Sequence, residues 1–138
     1  MRAKILIVDD DRDIRLGLEN RITWMGHDSI TTDNGKDALR LIEEEEPDLV
    51  LLDLELPLLS GLEVLHHLRE SHAKGSPQEE AALPTHATPL IVILTAFGTI
   101  ERAVQAMQLG AFDFLTKPYT ADHLTVVINK ALSTLTLR

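Results

Sequence analysis

Cysteine is absent from this chain of 138 residues, which removes disulfides, thiolate metal sites and thiol nucleophiles together. That fits a reducing compartment, and a cytoplasmic location is expected. Positive charge is in short supply: 13 basic against 22 acidic residues give a formal charge of -9. Contacts to a nucleic-acid backbone need clustered Lys and Arg, so no direct nucleic-acid contact is expected from this segment. No run approaches the roughly 20 apolar residues of a membrane span. The start, Met1 and Arg2 followed by the short Ile5–Val8 run, is too brief for a signal peptide. No membrane association is expected, and no internal repeat is present.

What remains is an ordinary globular composition, with 44% hydrophobic and 25% charged residues. The length suits one domain over residues 1–138. Four short apolar runs, Ile5–Val8, Leu49–Leu52, Leu90–Leu94 and Phe112–Leu115, have strand length. The first three lack polar alternation, as in strands buried on both faces. Asp28–Thr32, rich in Thr and Ile, reads as a sheet-edge strand. Between the strands apolar residues recur at helical spacing: Ile14, Leu18, Ile22 and Met25; Ala38, Leu41 and Ile42; Leu62, Leu65 and Leu68; Ile100, Val104 and Met107; Leu124, Val127, Ile128 and Ala131. Each stripe is expected to lie on a sheet. Alternating strands and helices predict a doubly wound α/β fold of five parallel strands with five helices on both faces, and among such folds the order 2-1-3-4-5 is expected. The Pro- and Gly-containing segment 71–89 exceeds the usual loop length and reads as an extended connection between the third helix and fourth strand.

In open parallel sheets the functional crevice lies beyond the carboxyl ends of the strands. Asp9 and Asp10 follow the first run, Asp53 the run at 49–52, Thr95 the run at 90–94, and Lys117 closely follows Phe112–Leu115. Neighbouring first and third strands would crowd three carboxylates, and two like charges about 4 Å apart repel by roughly 4 kcal/mol at an effective dielectric of 20. A cation must relieve this, and an all-oxygen ligand set favours Mg²⁺ over zinc. Asp53 can then act as a nucleophilic carboxylate and Lys117 can supply a second positive charge. Thr95 can donate a hydroxyl, with small Ala96 leaving room beside it. The inventory suits formation of an acyl phosphate.

These residues resemble the receiver domain of bacterial two-component response regulators over nearly the whole chain. The matching blocks are Ile5-Leu6-Ile7-Val8-Asp9-Asp10-Asp11, Leu51-Leu52-Asp53-Leu54-Glu55-Leu56-Pro57 with Gly61, Leu94-Thr95-Ala96, and Lys117-Pro118. The resemblance implies that Asp53 takes a phosphoryl group from the phosphohistidine of a sensor histidine kinase or phosphotransfer protein. It implies that Asp9, Asp10, Asp53 and the Glu55 backbone carbonyl hold Mg²⁺, and that Thr95 and Lys117 bind the phosphoryl group. It further implies a switch through Thr95 and Phe114 that remodels the surface of the fourth helix, fifth strand and fifth helix, where an output domain, a partner protein or a phosphorylation-dependent homodimer would dock. A cis bond at Lys117-Pro118 belongs to the same pattern. Such a domain is a phosphoacceptor rather than an enzyme, catalysing its own phosphorylation and slow autodephosphorylation.

Three features depart from the family pattern. Phe114 lacks a phenol oxygen, so its coupling must work by packing. The 71–89 segment is long. The last helix lacks a mid-helix Arg, and Gly110-Ala111-Phe112-Asp113-Phe114 looks like receivers attached to enhancer-binding ATPases, which points to a transcriptional output and to the N-terminal part of a longer regulator. Simpler roles are expected elsewhere: Asp11 and Asp13 as helix caps, Gly61 and Gly98 as turn residues, Pro57 as a loop stiffener, Pro118 as a strand stop that also aims Lys117, Trp24 as packing and the six histidines as surface residues. Two other functions remain open. An aspartate-nucleophile phosphatase of the haloacid dehalogenase type would need a second acid followed by Gly and Thr, whereas Glu55 precedes Leu56 and Pro57. A flavodoxin-like binding module would need a hydroxyl- and glycine-rich loop where three aspartates stand.

Overall fold

The computed structural model describes residues 2–73, 89–96 and 100–136. Within them the order is β1 (Lys4–Val8), α1 (Arg12–Trp24), β2 (Asp28–Thr32), α2 (Gly35–Glu45), β3 (Leu49–Asp53), α3 (Gly61–Ala73), β4 (Leu90–Ala96), α4 (Ile100–Gln108), β5 (Asp113–Lys117) and α5 (Ala121–Thr136). The strands form one parallel sheet in the expected order, β2-β1-β3-β4-β5. Most of the expected 71–89 connection lies outside the described residues, as does Gly98; Ser71–Ala73 complete α3.

Because side chains alternate across a strand, the apolar runs feed two cores. Ile5, Ile7, Leu49, Leu51, Val92 and Leu94 meet Leu18 and Ile22 of α1 and Leu124, Val127, Ile128 and Ala131 of α5 on one face. Leu6, Val8, Val50, Leu52, Ile91 and Ile93 meet Ala38, Leu41 and Ile42 of α2, Val64 and Leu65 of α3 and Ala106 of α4 on the other. Burying such a side chain contributes about 1.5–3 kcal/mol, and the central strands do so on both faces. β2, at the edge, is only partly covered.

Local signals set the helix starts. Asp11 caps α1 by accepting from the Asp13 and Ile14 amides at 2.9 and 3.2 Å. Asp13 is therefore not a cap; it sits in the first helical turn, where its charge complements the helix dipole. Asn34 caps α2. Ser60 and Glu63 form a reciprocal capping box at α3, and Thr120 Oγ1 accepts from the His123 amide at the start of α5.

Three expectations need correction. The α4 stripe does not face the sheet: Ile100, Val104 and Met107 are exposed, and Ala103 and Ala106 make the buried contact. Trp24 is 71% exposed, with the Arg21 guanidinium 4.2 Å from its ring centroid. The last strand begins at Asp113; Phe112 precedes it, its amide donating to the Ile91 carbonyl at 2.7 Å and its side chain packing against the α1/α5 core.

Candidate functional site

β3, β4 and β5 extend further than their apolar runs, so the polar residues that end those runs lie inside the strands. Asp53 is the last residue of β3, Thr95 and Ala96 end β4, and Lys117 ends β5. Asp53 pairs in register with Leu94 and Ala96 with Lys117, which puts Thr95 one step beyond the Asp53 level. Asp9 follows β1 directly, held by its amide on the Thr32 carbonyl.

The centre is a partly buried cation between two buried anions. Lys117 Nζ lies 2.8 Å from Asp9 Oδ2 and 3.3 Å from Asp53 Oδ2. Asp9 is 0% and Asp53 3% exposed. Asp9 uses its other oxygen to accept from the Asp11 amide at 2.9 Å, and Asp53 Oδ1 accepts from the Glu55 amide at 3.1 Å. The Lys117-Pro118 bond is cis, as the family resemblance implies.

Asp10 joins from the solvent side. One carboxylate oxygen from each of Asp9, Asp10 and Asp53 can be chosen so that all lie within 4.8 Å of one another. Burial first, and then the Asp9 charge, push the Asp53 carboxyl up to about 7, even though Lys117 pulls it down. Burial opposes the Lys117 charge, but its bonds to Asp9 and Asp53 outweigh that and raise its ammonium pKa. One lysine thus does not balance the carboxylates. Their all-oxygen, multiply charged donor set fits a hard divalent cation.

The remaining expected residues lie around this centre. Thr95 is buried and Ala96 exposed at the end of β4. Phe114 is 37% exposed on β5, next to the buried Leu115. Glu55 turns its side chain outward to pair with Arg102 of α4. The Pro57 carbonyl accepts from the Leu59 amide at 2.7 Å, tightening the loop.

Gly61 is more than a turn residue. A Cβ there would stand 2.5 Å from the Asp53 carbonyl oxygen and 2.8 Å from Leu54 Cα, so only glycine lets α3 begin against the backbone of Asp53. Gly35 was not anticipated at all; its Cβ would meet the Leu59 carbonyl at 1.9 Å, and so α2 packs directly on the β3–α3 loop. Also unanticipated is Arg15, whose Nη1 donates to the Asp9 carbonyl at 2.8 Å. Its position one turn after the Asp11 cap was the available signal.

Comparison with known proteins gives concordant matches. The family model described as response regulator receiver domain matches residues 5–129. Regulatory protein AtoC of Escherichia coli is 33% identical over 129 residues, covering 94% of this chain and 25% of AtoC. Response regulator protein PilR of Pseudomonas aeruginosa is 39% identical over 131 residues, covering 95% of this chain and 26% of PilR. The chain thus spans about a quarter of the length of each. The crystal structure of the receiver domain of NtrX from Brucella abortus is similar with a TM-score of 0.78 and 34% identity, covering 94% of this chain and 98% of that one.

Proposed function

Because the chain belongs to the response regulator receiver domain family, we propose that Asp53 is its phosphoacceptor and that Asp9, Asp10, Asp53 and the Glu55 carbonyl hold Mg²⁺. The observation that carries this reading is Lys117 Nζ set between Asp9 and Asp53, at 2.8 and 3.3 Å, at the carboxyl edge of a parallel sheet. When bound, Mg²⁺ would supply positive charge to the phosphoryl oxygens.

A carboxylate oxygen of Asp53 attacks phosphorus. The new O–P bond forms as the P–N bond to the donor histidine breaks, and the histidine nitrogen keeps the electron pair. Asp53 must be ionised to attack; without Mg²⁺ its carboxyl is pushed up to about 7, and a bound divalent cation would favour the carboxylate. Lys117 stays charged and can transfer its contact from the carboxylate to a phosphoryl oxygen. Thr95, at the next register step, can donate to another. Phe114, half out of the surface, is the switch residue that would turn inward and carry the change to α4, β5 and α5 by packing.

The donor is a histidine kinase or phosphotransfer protein. An apolar cleft of about 550 Å³ between α1 and α5 includes Lys117, Pro118 and Tyr119 in its wall and offers such a donor a seat next to the acceptor. Gly17 lines the same cleft, with nothing within 4 Å of an added Cβ. The output is an attached domain or partner, including a second copy, and acts on transcription. A haloacid-dehalogenase-type phosphatase is disfavoured because Glu55, the residue in the position of its second acid, is engaged by Arg102. The three aspartates after β1 disfavour a flavodoxin-like site.

Incubation of the whole chain with Mg²⁺ and a small phosphodonor such as acetyl phosphate is expected to add one phosphoryl mass, lost in Asp53→Asn. An unmodified wild-type protein, or an adduct that persists in the variant, contradicts the reading.

A further inference from the structure

The helix α4 is held at both ends. At its C-terminal end the Gln108 carbonyl accepts from Arg69 Nη1 of α3 at 2.6 Å. In its first turn Arg102 pairs with the carboxylate of Glu55, two residues beyond Asp53. The Glu55 amide in turn donates to Asp53 Oδ1 at 3.1 Å. A polar path of one residue therefore joins the Asp53 carboxylate to the helix that carries exposed Ile100, Val104 and Met107.

We infer that Arg102 is a positioning residue: through Glu55 it tethers the first turn of α4 to the acceptor loop and so opposes phosphorylation. This rests on Asp53 being the acceptor. While Asp53 is a carboxylate, the Glu55 amide bonds to a charged acceptor. Phosphorylation replaces the carboxylate with a carbonyl and a bridging oxygen, which are weaker acceptors. The Glu55 amide loses that charged acceptor, and the hold on the Arg102 end of α4 weakens while the Arg69 end stays fixed. The path is separate from Thr95 and Phe114.

Both partners are about half exposed, at 48% and 56% of their side-chain surface, so the tether is a bias rather than a lock. Linkage makes the coupling reciprocal. If the tether disfavours the phosphorylated placement, breaking it must tighten binding of any ligand that prefers that placement by the same factor.

Beryllofluoride with Mg²⁺, a stable mimic of the phosphoryl group, serves as the probe, and isothermal titration of the whole chain as the readout. Arg102→Gln is expected to bind it about two- to fivefold more tightly than wild type, the span allowed for an exposed pair. Arg102→Lys retains most of the wild-type affinity. Glu55→Gln also tightens binding, and the double variant binds no more tightly than either single one. The sign for Arg102→Gln is decisive, because plain Coulomb attraction predicts that removing a cation near an anion site weakens binding. Equal or weaker binding by Arg102→Gln, or single effects that add in the double variant, overturns the tether. A wild-type chain that binds no beryllofluoride overturns the acceptor assignment itself, and the tether with it.

Discussion

The last two helices, α4 and α5, carry similar apolar stripes in sequence and use them in opposite ways. α5, of 16 residues, lays Leu124, Val127, Ile128, Ala131 and Leu132 on the sheet. α4, of nine residues, turns Ala103 and Ala106 inward and leaves Ile100, Val104 and Met107 in solvent. The difference teaches that helical periodicity reveals an apolar face without revealing what the face meets. A helix lying on alanines forfeits most of the burial energy that fixes α5, and polar contacts from Arg69 and Arg102 help to hold it. A helix held that way suits an element that must move; one with a full apolar face suits a fixed support.

The largest expected effect sharpens this contrast in stability. Ile128→Ala, at a fully buried position, should cost about 2–5 kcal/mol, whereas Val104→Ala, half exposed, should change stability by no more than about 0.5 kcal/mol. Urea unfolding of the two variants decides it, and similar losses in both would erase the distinction.

A smaller effect concerns the acceptor edge, which differs from both helices in being tuned by charge. In the folded chain without Mg²⁺, the Asp53 carboxyl is raised from an ordinary value of 3.8 to about 7. Between those values the folded state holds a proton that the unfolded state has released. Metal-free stability should therefore fall as pH rises through that window. Mg²⁺ binding requires the carboxylate, so its affinity should rise with pH and level off above about 7. Thermal unfolding with and without Mg²⁺ from pH 5 to 8 measures both trends, and a pH-independent Mg²⁺ stabilisation would contradict the assignment of Asp53 as a ligand.

Much of this molecule was legible in its sequence, for identifiable reasons. The central strands are unbroken apolar runs, so burial on both faces could be read directly; the alternation implied a parallel doubly wound sheet, within which the order 2-1-3-4-5 was one choice. Asp9, Asp10, Asp53 and Lys117 stand at run ends, where a parallel sheet gathers them. The misreadings share one physical cause: they concern approach and orientation. Alanines that place α4 close to the sheet carry a weak apolar signal beside Ile100, Val104 and Met107. Gly61 looked like a turn residue because nothing local marks its contact with the Asp53 backbone. Trp24, expected to pack rather than to function, instead lies exposed beneath Arg21. The Glu55–Arg102 pair spans 47 positions and had no sequence signature.

Chemistry at the end of β3 is expected to be read out on the surface of α4, β5 and α5, with the buried face of α5 held in place. Amide hydrogen exchange on the whole chain, with and without Mg²⁺ and beryllofluoride, tests it most directly. The expected result is a change in protection concentrated in α4 and β5, with the buried face of α5 unaltered. Protection that changes uniformly, or in α5 while α4 stays constant, would contradict it.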